Sequence, residues 1–233
     1  MNSLLSKMLY ALFPRRCDLC GTVVELDASR CDSCKNAKHV KGEICKKCGC
    51  PKQCCDCTDK PKKPEYKAVI APYLYEGNLV KAMHRFKFSG FKELSEGMSL
   101  EMAKTVENYY GDIKFDFVTF VPLSKKSYRK RGYNQAQLLA ESLSKKMGIA
   151  CVATLEKIFE TKNQRSQTAR QRRVNLRGVF DLMKGVDVES KTILLIDDVK
   201  TTGSTLNECA AVLNAYGARK VFACTFLMTS VKH

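Results

Sequence analysis

Four C-x2-C pairs within the first 57 residues constrain the fold of this chain more than any other feature. Stretches of ten, ten and five residues separate the pairs, whose members are Cys17, Cys20, Cys31, Cys34, Cys45, Cys48, Cys54 and Cys57. Each pair can present two thiolates from one tight turn, and two pairs complete the tetrahedral cage that zinc prefers. The spacing therefore predicts two zinc sites, each with four cysteine ligands.

Some details of this region stay open at the level of sequence. The sites can form from consecutive pairs or from crossed pairs, and we prefer consecutive pairs because their connecting loops are shortest. Cys55 can also replace Cys54 as the partner of Cys57. The competing interpretation is a disulfide framework, but it requires an oxidising compartment and the sequence carries no recognisable secretory signal.

The spacing of these pairs also divides the chain. We predict a head at 1–60 with an N-terminal helix and a double zinc ribbon, a linker at 61–67, and a body at 68–233. The linker combines prolines and charges with little apolar content. Because the head segments are too short to build a hydrophobic core, bound metal must supply much of their folding free energy.

The body alternates strand-like and helical segments, which is typical of an α/β fold with a parallel sheet. Apolar residues at helical spacing predict helices, and continuous apolar runs predict buried strands. Helices are predicted at 79–88, 93–109, 134–147 and 205–216, strands at 115–123, 192–198 and 220–228, and a strand or hairpin at 68–77. Because ligands of such sheets bind beyond the carboxyl ends of the strands, the residues after Ile196 mark the candidate site.

The stretch ILLIDDVKTTGST at 193–205 places two carboxylates, Asp197 and Asp198, just before a Thr/Gly loop. A P-loop ATPase would need a G-x-x-x-x-G-K-[ST] motif elsewhere, and the sequence has none. A response-regulator receiver would need on the order of 100 further residues, whereas only 35 follow Asp198. The stretch instead resembles the phosphoribosyl-pyrophosphate motif of type I phosphoribosyltransferases.

That resemblance implies a role for each part of the stretch. The two aspartates would accept hydrogen bonds from the ribose hydroxyls, and magnesium would offset their repulsion from the pyrophosphate. Backbone N–H groups and hydroxyls at a helix N-terminus would wrap the 5-phosphate. These groups belong to Thr201, Thr202, Gly203, Ser204 and Thr205. Lys200 stands between the acids and the loop. It can face solvent or add positive charge at the mouth of the phosphate site, and we expect it to face solvent.

Four further stretches resemble the ComF family, and they occur in the order typical of that family. They are LFPRRCDLCG at 12–21, HRFKFSG at 84–90, VPLSKKSYRKRGYNQAQLLA at 121–140 and QRSQTARQRRVNLRGVF at 164–180. Together with the cysteine pairs and the acidic stretch, they cover nearly the whole chain. The resemblance implies a phosphoribosyltransferase-like body behind a small zinc-ribbon domain, and a cytoplasmic role in natural transformation.

The ComF-like blocks hold the candidate residues for phosphate binding. By resemblance, Leu123, Ser124 and Lys125 belong to the loop that binds pyrophosphate. A basic or mobile loop, or a nucleic-acid contact, is assigned to Arg129, Arg131, Asn134, Arg165, Arg170, Arg172 and Arg173. Asn134 has the alternative role of a helix N-cap. Tyr128, Tyr133 and Phe159 are candidates for stacking on bases.

Two functions from different classes are compatible with these features. The formal net charge of +16 favours a polyanionic partner. The first function is the handling of incoming single-stranded DNA beside a ComF-type helicase, with phosphoribosyl pyrophosphate as a ligand or regulator. The second is an active phosphoribosyltransferase with a nucleobase or related amine as acceptor. No catalytic residue is assigned, because transfer through an oxocarbenium-like centre depends mainly on charge placement.

Overall fold

The computed structural model describes residues 10–55, 57, 63–158 and 179–230. Several predicted site residues lie outside these ranges, namely Arg165, Arg170, Arg172, Arg173 and Phe159. Most of the predicted N-terminal helix also lies outside them. These assignments stay predictions.

Within the described residues, the head contains a short helix, α1 (Asp32–Lys35), and a 3-10 turn at Lys52–Cys54. The helices of the body are α2 (Asn78–Phe88), α3 (Leu94–Tyr110), α4 (Lys125–Arg131), α5 (Gln135–Met147) and α6 (Ser204–Ala215). Its strands are β1 (Val69–Ile70), β2 (Tyr73–Leu74), β3 (Phe117–Phe120), β4 (Leu155–Lys157), β5 (Phe180–Leu182), β6 (Thr192–Lys200) and β7 (Lys220–Met228).

The body is built on a parallel sheet with strand order β1–β7–β6–β3, so the predicted fold class is confirmed. Strand β6 is central, because Leu195 pairs with Thr119 of β3 on one side and with Ala223 of β7 on the other. Residues 193–196 have no exposed area, which explains why they form a continuous apolar run. The carboxyl ends of β3, β6 and β7 therefore meet at one edge of the sheet.

Residues 68–77 form an interrupted edge strand, and the hairpin alternative is wrong. Val69 of β1 pairs with Ala223, and Tyr73 of β2 pairs with Leu227, both in parallel to β7. The interruption falls at Pro72, which has no backbone N–H to donate to a neighbouring strand.

The predicted helices agree with the observed ones to within one residue at each end. Asn134 precedes α5 as its N-cap, and Gly148 ends that helix in the left-handed conformation. Two features were not predicted. Helix α4 occupies residues that we assigned to a loop, and β4 pairs antiparallel with β5 outside the main sheet.

The head lies directly against the body and shares its core. The backbone N–H of Val69 donates to Gly49 O (2.8 Å), and that of Leu74 donates to Lys38 O (2.9 Å). A buried carboxylate on α3, Glu101, accepts hydrogen bonds from Arg30 of the head and from the Tyr73 hydroxyl, each at 2.8 Å. These contacts fix the head against the β1–β2 edge and α3.

Among the described residues, no helix has both the length and the apolar content needed to span a bilayer.

Candidate functional site

Two groups of four cysteines in the head have the arrangement of metal sites. The first cluster is Cys17, Cys20, Cys31 and Cys34, and the second cluster is Cys45, Cys48, Cys55 and Cys57. Within each cluster all sulfur atoms lie within 4.8 Å of one another. A zinc ion with Zn–S bonds of about 2.3 Å separates its ligand sulfurs by about 3.8 Å. The clusters therefore fit tetrahedral metal sites built from consecutive stretches of chain, as predicted.

The second cluster corrects one predicted ligand, because it contains Cys55 in place of Cys54. The Sγ of Cys55 lies 3.5 Å from that of Cys48 and 3.2 Å from that of Cys57. Cys54 ends the 3-10 turn with its side chain buried (3% exposed). The tight turn rotates consecutive residues to different sides, so only Cys55 joins the cluster.

Helix α2 connects the first cluster to the body. The side-chain amide of Asn78, at its start, has its Nδ2 3.8 Å from the Sγ atoms of both Cys31 and Cys34. Near its end, Arg85 donates to Cys20 O at 2.7 Å. An amide donor in this position orients the thiolate ligands and offsets their negative charge, while the guanidinium fixes the backbone of the ligand Cys20.

The acidic pair stands at the carboxyl end of β6, where the sequence predicts a ligand. Asp197 Oδ1 accepts from the backbone N–H of Asp198 at 2.8 Å. Burial and the neighbouring Asp198 carboxylate raise the pKa of Asp197 to about 8. Such a pair resists full ionisation until a cation or hydrogen-bond donor arrives.

Lys87 supplies one such cation. Its Nζ lies 2.9 Å from Asp198 Oδ1, and both side chains are mostly buried. Sequence reasoning assigned no site role to Lys87, although it lies in the HRFKFSG stretch that resembles the ComF family. Its position in that stretch is the sequence signal from which a site role for Lys87 could have been predicted.

The Thr/Gly loop after β6 has the local geometry of a phosphate cradle. Gly203 adopts φ 82°, in the left-handed region, and α6 begins at the next residue. The Thr202 and Ser204 hydroxyls are 2.8 Å apart and, like those of Thr201 and Thr205, they are exposed. Exposed hydroxyls and the first N–H groups of a helix are suited to an anion.

The loop predicted to bind pyrophosphate is shorter than expected. Leu123 and Ser124 follow β3 without regular structure, but Lys125 already begins α4. Ser124 caps this helix, because its Oγ accepts from Ser127 N at 3.1 Å. The loop and α4 lie beyond the end of β3, next to the end of β6.

Helix α4 presents a cationic and aromatic surface. Its cations include Arg129, Lys130 and Arg131. The Arg131 guanidinium carbon lies 5.0 Å from the ring centroid of Phe88, which is 47% exposed. Tyr128 is 50% exposed on the same helix. We call Phe88, Tyr128, Arg129, Lys130 and Arg131 the α4 surface.

Two other candidates have structural roles. Asn134 is buried; its Oδ1 accepts from Ala136 N and its Nδ2 donates to Val121 O, both at 3.0 Å. It is therefore an N-cap that also holds the end of β3. Tyr133 is 6% exposed and donates its hydroxyl to Phe86 O, so stacking on a base is excluded for it.

The expectation that Lys200 faces solvent is wrong. The residue is 6% exposed and belongs to the side of β6 that meets the head. The strand continues through Lys200, so its side chain alternates with that of Val199 and is enclosed by Cys50 and Tyr66.

Known proteins similar to this chain agree with these features. Residues 98–232 match the family described as Phosphoribosyl transferase domain. The "DNA utilization protein YhgH" of Escherichia coli O157:H7 is 30% identical over 89% of this chain and 94% of that relative. The "Competence protein ComFC" of Bacillus subtilis (strain 168) is 30% identical over 80% of this chain and 78% of that protein.

This chain belongs to the ComF family. Another relative is the "Competence protein F" of Haemophilus influenzae, 28% identical over 82% of this chain and 93% of that protein. Among solved structures, the "allosteric regulatory enzyme of purine biosynthesis" matches 56% of this ComF-family chain and 25% of the enzyme, at 21% identity and a TM-score of 0.38.

Proposed function

We propose that this ComF-family chain handles incoming single-stranded DNA in the cytoplasm during natural transformation and binds phosphoribosyl pyrophosphate at the end of β6. The printed names of its relatives, which refer to competence and DNA utilization, support the general role. The match to the phosphoribosyl transferase domain supports the ligand. A ComF-type helicase is the partner that the family resemblance implies.

One observation carries this proposal: two adjacent residues of α2 join the acidic pair to the α4 surface. Lys87 is ion-paired with Asp198, and Phe88 lies beneath Lys130 and Arg131, with centroid distances of 5.7 and 5.0 Å. The sugar-phosphate site and the cationic surface are therefore neighbours on one edge of the sheet. A strand on that surface would lie beside a bound sugar phosphate.

The α4 surface has the chemistry of a single-strand binding site. Its cations can contact phosphates of any sequence. Two exposed rings, Phe88 and Tyr128, can stack on bases, a contact worth about 1–3 kcal/mol per base. Cations and exposed rings on one surface favour single strands, because bases in a duplex are already stacked.

The acidic pair and the Thr/Gly loop have the chemistry of a sugar-phosphate site. The exposed hydroxyls and helix N-terminus address the phosphate, and Asp197 and Asp198 address the ribose. Magnesium would be held between carboxylates and pyrophosphate oxygens, which offsets the repulsion that raises the pKa of Asp197.

The strand-binding test compares two tyrosines. Tyr128→Ala should weaken binding of a fluorescent (dT)20 oligonucleotide about tenfold, as expected for the loss of one stacking contact. Tyr133→Phe, which alters a buried tyrosine but keeps its ring, should leave affinity unchanged. Affinity should also fall steeply with salt. No binding by the native protein at low salt, or equal affinity of Tyr128→Ala and native protein, refutes the strand-binding role.

The ligand test is a calorimetric titration with phosphoribosyl pyrophosphate, with and without magnesium. Native protein should bind, and the double variant Asp197→Asn/Asp198→Asn should not. Incubation with a panel of nucleobases and amines then separates the two functions. Release of pyrophosphate would favour an active phosphoribosyltransferase, whereas binding without release favours a ligand or regulator.

A further inference from the structure

The Thr/Gly loop of the proposed sugar-phosphate site is supported by the head as well as by the sheet. A cavity of about 570 Å³ has residues 200–204 as one wall and Cys48 and Cys50 of the head in the other. Because the loop is one of its walls, the cavity belongs to the sugar-phosphate site. Two buried side chains, Lys200 and Tyr66, join the two walls.

Lys200 links the loop to the head through its side chain. The residue is 6% exposed, and its ammonium is hydrogen-bonded to the thiol of Cys50. The same ammonium donates a long hydrogen bond of 3.4 Å to Thr201 O, the first carbonyl of the loop. A buried ammonium needs such partners, because burial removes its hydration. Lys200 is therefore held to both walls of the cavity.

Tyr66 supports the loop next to Lys200. Its hydroxyl is hydrogen-bonded to Cys50. A Cβ built on Gly203 would lie only 3.0 Å from that hydroxyl and 3.3 Å from Lys200 Cε. Gly203 adopts φ 82°, so this position favours glycine both for its conformation and for the close approach. The backbone of the loop therefore packs directly on the Tyr66 and Lys200 side chains.

The backbone beside Tyr66 is fixed by α6, the helix that begins at the end of the loop. Glu65 N donates to Asn207 Oδ1 at 2.8 Å, and Asn214 Nδ2 donates to Glu65 O at 2.8 Å. Tyr66, the loop and the start of α6 therefore form one packed unit, and Cys50 is the point at which the head meets it.

Cys50 belongs to the turn that carries two ligands of the second cluster. It follows Cys48 by two residues, and its carbonyl accepts from Cys45 N at 2.8 Å. The residue is 4% exposed and is not a member of the cluster. Its thiol therefore contacts Lys200 and Tyr66, while the neighbouring cysteines of the turn face the metal site.

We propose that Cys50, Lys200 and Tyr66 are positioning residues for the Thr/Gly loop, which hold its backbone in the conformation that binds the sugar phosphate. They act through the loop, from the metal-binding turn of the head, and not by contact with the ligand. This inference rests on the proposed function, in which phosphoribosyl pyrophosphate is the ligand of the loop. It gives the head a part in ligand binding.

The first test changes Cys50, which lies outside both the second cluster and the loop. Cys50→Ala should weaken binding of magnesium phosphoribosyl pyrophosphate about tenfold, the loss expected when one hydrogen-bonded support is removed. Cys50→Ser keeps a hydrogen-bonding group there and should retain most of the affinity. The matched control is Cys54→Ala, at a buried cysteine in the same wall and also outside the cluster, which should bind like native protein.

Calorimetry gives the affinities, and zinc content separates positioning from a loss of the metal site. Cys50→Ala, Cys50→Ser and Cys54→Ala should each keep two zinc ions per chain. Equal affinity of Cys50→Ala and native protein overturns the proposal, as does equal weakening by Cys50→Ala and Cys54→Ala. Loss of zinc from Cys50→Ala also overturns it, because Cys50 would then support the cluster and not the loop.

A double-mutant cycle tests whether Lys200 acts through Cys50. Lys200→Met should weaken binding about tenfold, and its combination with Cys50→Ala should be no weaker than either single variant, because both changes remove the same link. Additive losses would mean that Lys200 contacts the ligand directly, which overturns its positioning role. Lys220→Met, at an exposed lysine that begins β7 at the opposite end of the sheet, should bind like native protein.

Hydrogen–deuterium exchange tests the positioning role without any ligand. The backbone N–H of Asn207 donates to Gly203 O at 2.9 Å, so its exchange reports on the junction of the loop and α6. Exchange should be about tenfold faster in Cys50→Ala and Lys200→Met than in native protein, and unchanged in Cys54→Ala. Native rates in all three variants overturn the proposal. Faster exchange in the first two variants, in a protein that does not bind phosphoribosyl pyrophosphate, supports the positioning role and refutes the proposed function alone.

Discussion

Lys87 Nζ and Asp198 Oδ1 form an ion pair 2.9 Å apart at the end of the central strand. Asp197 is adjacent and half-buried, so the same ammonium offsets the negative charge of both carboxyl groups. The pair therefore joins α2 to the candidate site, and its loss should lower the free energy of unfolding.

Lys87→Met should lower the free energy of unfolding at pH 8 by about 2 kcal/mol, since it leaves Asp198 without its counter-charge. The loss should shrink at pH 5, because Asp197, whose pKa burial and the neighbouring Asp198 carboxylate raise to about 8, is protonated there and leaves the ammonium fewer negative charges to offset. Urea unfolding at the two pH values measures both quantities. Lys81→Met, at an exposed position of the same helix, is the control, and a loss of equal size there would contradict the prediction.

Asp197→Asn should stabilise the protein at alkaline pH. The pKa of Asp197 is about 8 in the folded protein and near 3.9 in an unfolded chain, so the folded state retains a proton that the unfolded state releases. Its contribution is fully present below about pH 4 and is lost as the pH rises to about 8. Asparagine removes this dependence.

The expected gain for Asp197→Asn at pH 8 is at least about 1 kcal/mol, or about 2–4 °C in Tm, and it should vanish near pH 4. Thermal unfolding across this range measures it. Asp112→Asn, at an exposed carboxylate, should give no such pH-dependent difference. A constant difference between Asp197→Asn and native protein from pH 4 to 8 would show that Asp197 does not titrate in this way.

The neighbouring cysteines Cys54 and Cys55 provide a test of the second cluster. Native protein should hold two zinc ions per chain, one for each cluster. Cys55→Ser should hold about one, whereas Cys54→Ser should keep two, because Cys54 lies outside the cluster. Elemental analysis of dialysed protein measures the content. The reverse pattern would restore the original sequence prediction.

Glu101 should make the attachment of the head sensitive to acid. Burial alone would raise its pKa, but the Arg30 guanidinium, Lys104 and the Tyr73 hydroxyl outweigh burial and lower the pKa to about 2. Its stabilising contribution is present above about pH 4.5 and is lost as the pH falls toward 2.

Glu101→Gln should therefore lower the free energy of unfolding by about 2 kcal/mol at pH 7, because it leaves the half-buried Arg30 guanidinium without its carboxylate partner. The deficit should narrow as the pH falls toward 2. Chemical denaturation at several pH values measures it, with Glu107→Gln on the exposed side of the same helix as the control. An equal, pH-independent loss in both variants would argue against this role.

Periodicity and strand composition were enough to predict the α/β fold and its parallel sheet. The run at 193–196 is apolar because both faces of β6 are covered, and that run leads directly to the acidic pair. The bounds of α3 and α5 followed from helical spacing and from Gly148 as a stop signal. These features are local, so one sequence is sufficient to find them.

The features that the sequence did not reveal depend on contacts between segments that are far apart in the chain. Lys87 and Asp198 are far apart in sequence, and no local pattern pairs them. Cys54 and Cys55 differ only in the direction that a 3-10 turn gives to each side chain. Lys200 was misjudged because its burial comes from the head, which the sequence presents as a separate unit.

Helix α2 has a consequence for how ComF-family proteins can be recombined. Asn78 and Arg85 reach the first cysteine cluster, while Lys87 and Phe88 reach the acidic pair and α4. A chimera that exchanges only the residues before position 68 between two relatives would separate the Asn78 amide from the thiols of Cys31 and Cys34, and the Arg85 guanidinium from the Cys20 carbonyl, to which they are matched. Exchange of all residues through position 88 would preserve those contacts, so the segment that has to be exchanged as a whole extends past the predicted start of the body at residue 68.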